Sequence, residues 1–351
     1  MENEGIIGEL KENINKEPNN VQHYVNLANY YISENDLDNA LLLYQKIAQL
    51  NKEDCQALIN LGSIYYYKKM YPEAIEQYKK AIEKDPENAS AYYNIGNVYA
   101  EVENFELALS NYEKALEFEQ DNPDIYSALG YLYQDINNRE QAKRYYQKAI
   151  ELDQFNEENY INIANIEQMQ MHTKEALEYY KKAVEINPNN TKAILCLANS
   201  YATLKDYVNA QKNFENVINL NPQYYPAWIC RAIAYSEENK AHEAIISLKQ
   251  AIELVPEKTN AYILLANLLI DEKRYEEALG IYKTANILKP ADSKIMTFIA
   301  NTYILLNNYT QAVKYYRKAI KAAPKNNEIK LIYLEMINSY IENKMKEEKW
   351  K

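Results

Sequence analysis

Glycine is scarce in this sequence. Its 351 residues include only 6 glycines, where average usage of about 7% would give roughly four times as many. Gly-rich phosphate loops and tight β-hairpins therefore have little material. Cysteine is nearly absent too. Cys55, Cys196 and Cys230 are the only 3, too few for a disulfide framework and suited to a reduced, cytoplasmic compartment. Cys196 and Cys230 stand 34 apart; in stacked helix pairs that separation is ~10 Å, beyond the ~7 Å between Cα atoms that a disulfide tolerates. The three histidines, His23, His172 and His242, have no His or Cys at ligand spacing, so no metal site is expected. Excess positive charge is missing as well. The net charge is −11, which disfavours nucleic acid or an anionic membrane surface as the main partner. No stretch of about 18 residues is continuously apolar, so no membrane insertion is expected. The opening "MENEGIIGELKENINKEP" lacks the basic region and apolar core of a signal peptide. No nucleophile–base motif is visible, and the carboxylate pairs fall on outer helix faces. No enzyme and no cofactor are expected.

What the chain does contain is one pattern repeated. Seven of the ten prolines fall at 18, 86, 188, 222, 256, 290 and 324, where every gap is a multiple of 34; Pro72, Pro123 and Pro226 stand in first turns of helices. Alanines keep the same beat from Ala40, Ala74 and Ala108 through to Ala312, with no insertion across nine units. A fixed period of this length marks a repeat architecture. Each unit reads as two amphipathic helices. In residues 89–122, Tyr92, Ile95, Gly96 and Tyr99 share one face, and Ala108, Tyr112 and Ala115 share another. Asn20, Asp54, Asn88, Asn122, Asn156, Asn190, Asp292 and Asn326 stand where an N-cap belongs before the first helix. Asp36, Asn104, Asn138, Asp206 and Asn308 do so before the second. Small residues at the eighth place, among them Gly62, Gly96 and Gly130, let paired backbones approach. Tyrosines at the eleventh, from Tyr31 to Tyr303, are expected to wedge between helices as core rather than to hold a cofactor.

This pattern resembles the tetratricopeptide repeat, carried for instance by Leu58, Leu61-Gly62, Tyr65, Ala74, Tyr78, Ala81 and Pro86. The resemblance implies an all-α, right-handed superhelical solenoid. Nine repeats would fill residues 21–324, starting at 21, 55, 89, 123, 157, 191, 225, 259 and 293. Residues 1–20 would form an N-terminal capping half-repeat and 325–351 a C-terminal capping helix and tail. Two departures stand out: Glu167 where tyrosine is expected and Arg231 where leucine is expected. The loosely patterned run around Glu167 predicts a soft joint in the fifth repeat.

Asparagine is a poor helix-interior residue, yet it recurs in the first helices. In the resembling family the second, fifth, sixth, ninth, twelfth and thirteenth places of each unit line a concave groove. That register places Asn26, Asn60, Asn94 and Asn162 at sixth places, and Asn29, Asn97, Asn165, Asn199, Asn267 and Asn301 at ninth places. A carboxamide offers two donors and an acceptor, so a ladder of them suits a peptide backbone. The repeat domain of O-linked N-acetylglucosamine transferase and bacterial peptide-pheromone receptors use asparagines in this way. Bracing between neighbouring repeats is the competing reading. Capture of a C-terminal carboxylate is not expected, because Val25, Ser90 and Asn94 stand where that class of site needs cations.

Ile229, Ile233, Ile263, Leu264, Phe298 and Ile304 predict an apolar groove toward the C-terminal end, with Ile270 and Leu305 beside them. Glu101, Asp124, Asp135, Glu158, Glu237 and Asp271 outnumber Lys192 and Lys294 along the groove. The expected partner is thus an extended protein or peptide segment, neutral to basic, held by a non-catalytic interaction scaffold. Two alternatives stay open. One is a substrate-presenting regulatory arm of a separate glycosyltransferase. The other is a self-assembling structural protein. Residues 307–351, with 10 basic and 5 acidic side chains, form a positive end on an otherwise acidic chain.

Overall fold

A computed structural model describes residues 2–51 and 54–349. Its described residues form twenty helices and no strand. Helix α1 (Glu2–Lys16) comes first. The first helices of the nine repeats are α2 (Val21–Ser33), α4 (Cys55–Tyr67), α6 (Ala89–Glu101), α8 (Pro123–Asp135), α10 (Glu157–Met169), α12 (Thr191–Thr203), α14 (Tyr225–Glu237), α16 (Thr259–Asp271) and α18 (Ser293–Leu305). The second helices are α3 (Leu37–Leu50), α5 (Tyr71–Lys84), α7 (Phe105–Phe118), α9 (Arg139–Leu152), α11 (Thr173–Ile186), α13 (Tyr207–Leu220), α15 (Ala241–Leu254), α17 (Tyr275–Leu288) and α19 (Tyr309–Ala322). Helix α20 (Asn327–Lys349) follows. Every first helix is 13 residues and every second helix 14, as a pattern without insertions requires.

Side-chain caps start the helices. Asn88 Oδ1 accepts from the Ala91 amide at 3.0 Å, and Asn138 Oδ1 from that of Gln141 at 3.3 Å. Met70 and Tyr224 cannot cap; there Pro72 and Pro226 occupy the first turn instead. Between paired helices within each unit the turn is the same each time. Its fifteenth-place residue has positive φ and is never glycine: Asn35, Lys69, Glu103, Asn137, Met171, Lys205, Asn239, Lys273 and Asn307. The next amide donates back to the eleventh-place carbonyl, as from Asn104 to Tyr99 at 2.8 Å. This six-to-one bond satisfies an orphan carbonyl at the helix C-terminus.

The chain divides into two compact units, Met1–Met171 and His172–Lys351. In each, the core runs between paired helices. Ala74, Ala108, Ala142, Ala244, Ala278 and Ala312 are wholly buried. The deepest aromatic stripe is not the eleventh-place tyrosines, most of which are half-buried. It is the twenty-fourth-place set on the second helices: Tyr44, Tyr78, Tyr112, Tyr146, Tyr180, Tyr282 and Tyr316, none more than 4% exposed. Three glycines serve this stripe. A Cβ on Gly62, Gly96 or Gly130 would meet the ring of Tyr78, Tyr112 or Tyr146 at 2.5–2.6 Å.

Glu167 is the other departure from expectation. It is 2% exposed and ion-paired to Lys143 of α9. The carboxylate expected to loosen its surroundings is therefore packed and charge-compensated. The division between units falls just after it, at Met171.

Candidate functional site

The groove places of the first helices line three cavities, each within one unit. One of about 430 Å³ in the first unit is walled by residues of α4, α6, α8 and α10, including Tyr66, Asn97, Tyr131 and Glu158. Two in the second unit measure about 160 Å³ and 230 Å³ and share Asn267 and Asp271. Ile233 and Leu264 line the smaller, Phe298, Ile270 and Leu305 the larger.

The ninth-place asparagines are held by the buried tyrosine stripe. Fifteen residues on, the hydroxyl of Tyr44 donates to Asn29 Oδ1 at 3.1 Å and that of Tyr112 to Asn97 Oδ1 at 2.8 Å. Tyr282 donates to Asn267 and Tyr316 to Asn301 in the same way. In the second repeat Tyr78 donates to Ser63 at 3.3 Å. Each bond joins the first and second helix of one repeat. It satisfies a phenol that would otherwise be a buried, unpaired donor. It also fixes the carboxamide's orientation and leaves its two N–H donors. Those of Asn29, Asn267 and Asn301 meet no partner among the described residues, while those of Asn97 approach the Tyr93 hydroxyl.

Where the tyrosine is missing, the arrangement changes accordingly. Phe214 has no hydroxyl, and the amide of Asn199 turns to Cys230 Sγ of the next repeat at 3.6 Å. Leu248 faces the place where Ile233 replaces asparagine, and both line one cavity. In the fourth repeat the tyrosine is kept and the asparagine is replaced: Tyr131 packs edge-on against Tyr146, ring centroids 5.5 Å apart. Burial raises the tyrosine hydroxyls well above their ordinary value. Tyr282 and Tyr316 are pushed up to about 12; so is Tyr78, against a small opposing effect of the Ser63 bond. Tyr112, Tyr146 and Tyr180 are displaced further in the same direction, again mainly by burial.

Sixth-place asparagines behave differently. Asn26 and Asn60 accept from Gln22 and Gln56 one turn earlier, at 2.9 and 2.8 Å. Asn94 is half-buried and makes no side-chain hydrogen bond among the described residues. Asn162 is 9% exposed, and its Nδ2 is buried without a hydrogen-bond partner. Asn165 is half-buried.

The apolar expectation needs correction at one position. Ile229 is 7% exposed and belongs to the core, in one buried cluster with Leu248, Leu265 and Ala266. Ile263 and Ile304 are half-buried against the same core and line neither cavity. Leu248 and Leu268 do line the smaller one. Sequence reasoning missed them, and missed that the twenty-fourth place faces the ninth. The signal was present: Asn or Ser pairs with Tyr, and Ile233 with Leu248.

Known proteins place this architecture. Residues 153–349, more than half of the chain, match the family model described as the Cilia and flagella-associated protein 70 C-terminal domain. Residues 21–54, 62–103 and 87–154 match tetratricopeptide repeat models. The chain belongs to the tetratricopeptide-repeat family. No curated protein matches it. Among solved structures, the C-terminal part of a TPR repeat-containing protein from Cytophaga hutchinsonii is 18% identical with a TM-score of 0.52, over 77% of this chain and 97% of that one. YrrB, described as a TPR protein with an unusual peptide-binding site, is 27% identical with a TM-score of 0.42, over 52% and 95%. Yeast Tom70 is 15% identical with a TM-score of 0.49, over 98% and 93%. The tetratricopeptide-repeat fold is typical of protein–protein interaction. No described helix is long and apolar enough to cross a membrane. No group of three or more His, Cys, Asp or Glu among the described residues could hold a metal ion.

Proposed function

We propose that the chain is a non-catalytic scaffold that holds an extended segment of a partner protein along the exposed faces of its first helices. The observation that carries this is the tyrosine-anchored carboxamide. With Oδ1 engaged by the second helix, Asn97, Asn267 and Asn301 present N–H donors where the cavities lie. Asn267 and Asn301, one repeat apart in the second unit, suit successive carbonyls of an extended backbone, and Asn97 offers the same device in the first unit. Brace and ligand ladder are then one device, since the same bond that ties two helices together pre-orients the rung. Freezing the side chain beforehand lowers the ordering cost of binding. Each rung contributes only ~0.5–1.5 kcal/mol, so several must act together, with side-chain pockets adding selectivity.

The test uses a library of blocked decapeptides, with affinity measured on the full chain. Replacing Asn97, Asn267 and Asn301 by alanine should weaken binding across all sequences rather than for one motif. Library binding unchanged in the triple variant would rule out the ladder.

A further inference from the structure

The cavity of the first unit is unlike the two apolar ones. Asp124 and Glu158 stand at the N-terminal ends of α8 and α10, Glu101 and Asp135 at the C-terminal ends of α6 and α8, and all four line it. No lysine, arginine or histidine is among its lining residues, and none of the four carboxylates makes an ion pair among the described residues. The C-terminal ends of α6 and α8 add the negative pole of their helix dipoles to Glu101 and Asp135. The floor is aromatic: Tyr66, Tyr93 and Tyr131 expose ring surface, and Tyr112 lies beneath them.

Glu158 accepts from the Tyr131 hydroxyl at 3.4 Å and Glu101 from that of Tyr71, but no cation faces this carboxylate rim, and its chemical complement is a positive charge. A cation is attracted by the rim and by the negative face of each ring, and a long aliphatic stem covers the ring surface. Asn97, held through its Oδ1, lines the cavity and keeps an N–H donor that suits a carbonyl oxygen, which a peptide backbone supplies and a free metal ion does not. We propose that this cavity selects a lysine or arginine side chain of the bound segment, an assignment that rests on the groove reading above. The rim is open and solvated, so its contribution depends on ionic strength.

The test places one central residue in otherwise identical blocked decapeptides of alanine and serine: arginine, lysine, citrulline or glutamate. Citrulline keeps the shape of arginine and removes its charge. The full chain should bind the arginine and lysine peptides at least 10-fold more tightly than the citrulline peptide, and the glutamate peptide most weakly. The paired replacement Glu101→Gln with Asp135→Asn changes two exposed side chains, and the glutamine still accepts the hydrogen bond that the Tyr71 hydroxyl gives Glu101. It should erase the charge preference while leaving the citrulline affinity unchanged. Equal affinity for arginine and citrulline peptides, with binding still lost on Asn97→Ala, would overturn the cation pocket and spare the groove. Absence of binding by all four peptides would overturn both.

Discussion

At the scale of single residues, the ninth- and sixth-place asparagines separate into two classes. Asn301 accepts from the buried Tyr316, so Asn301→Ala should destabilise its repeat by about 1–3 kcal/mol, the cost of a stranded buried donor. Pairing it with Tyr316→Phe in a double-mutant cycle should return a coupling of roughly 0.5–1.5 kcal/mol in urea melts. Asn94→Ala should leave stability unchanged or raise it by up to ~0.7 kcal/mol, since Asn94 has no partner to lose and alanine is the better helix former. Equal destabilisation by both changes would show that the tyrosine bond is not the difference. The same tyrosines set an alkaline limit. An unfolded phenol ionises near 10, while Tyr78, Tyr282 and Tyr316 are raised to about 12 by burial. The stability this supplies is fully present below pH 10 and is lost as pH rises through about 12. Each such tyrosine steepens the fall by about 1.4 kcal/mol per pH unit. Melts between pH 9 and 12 should show it, and Tyr282→Phe should flatten the slope. Much of the site was legible as positions in a register. What the register could not give was partnership: that Oδ1 of Asn97 is occupied follows from which second-helix residue reaches it, a contact fifteen residues distant. The burial of Ile229, in one cluster with Leu248, Leu265 and Ala266, follows from contacts distant in sequence in the same way.

At the scale of the element, helix boundaries could be read almost to the residue because caps, prolines and period agreed. The turn geometry could not, since its left-handed residue is lysine, glutamate, methionine or asparagine and never glycine. A left-handed L-residue costs roughly 1–2 kcal/mol, against about 0.5–1 kcal/mol of unfolded-state entropy for glycine. Lys69→Gly, Lys205→Gly and Lys273→Gly should therefore each raise stability, by up to about 1 kcal/mol, additively in thermal melts. The eighth-place glycines obey the opposite rule. Gly96→Ala would drive a methyl into the Tyr112 ring at 2.6 Å, an overpacking that costs typically 1–3 kcal/mol. It should also weaken the Tyr112–Asn97 bond. Repeats with alanine at this place seat the same tyrosine without glycine, so the clash belongs to repeats two to four and not to the repeat as such.

At the scale of the whole chain, stability should be regional, because a repeat contacts mainly its neighbours and the two units have separate cores. Trp228 lies in the second unit and Trp350 outside the described residues, so fluorescence of Trp228 on a Trp350→Phe background follows the second unit while circular dichroism follows every helix. The two urea transitions should not coincide, whereas two-state unfolding would superimpose them. Glu167 makes the first unit's last helix the place to look. Its pair with Lys143 is buried on the carboxylate side and 29% exposed on the lysine side. Breaking it with Lys143→Met takes the cation from a buried carboxylate and should destabilise α10 by about 1–3 kcal/mol, less than a fully dry pair because water reaches the lysine. Adding Glu167→Tyr, which restores the aromatic usual at this place, removes both charges and should recover that loss or exceed the original stability. Hydrogen exchange read helix by helix is the measurement. If the charged pair is the weak point, protection in residues 157–171 rises in the double variant and the two urea transitions draw together. If protection there is already equal to that of α6 and α8, the fifth repeat is no softer than its neighbours and the pair serves it as well as tyrosine would.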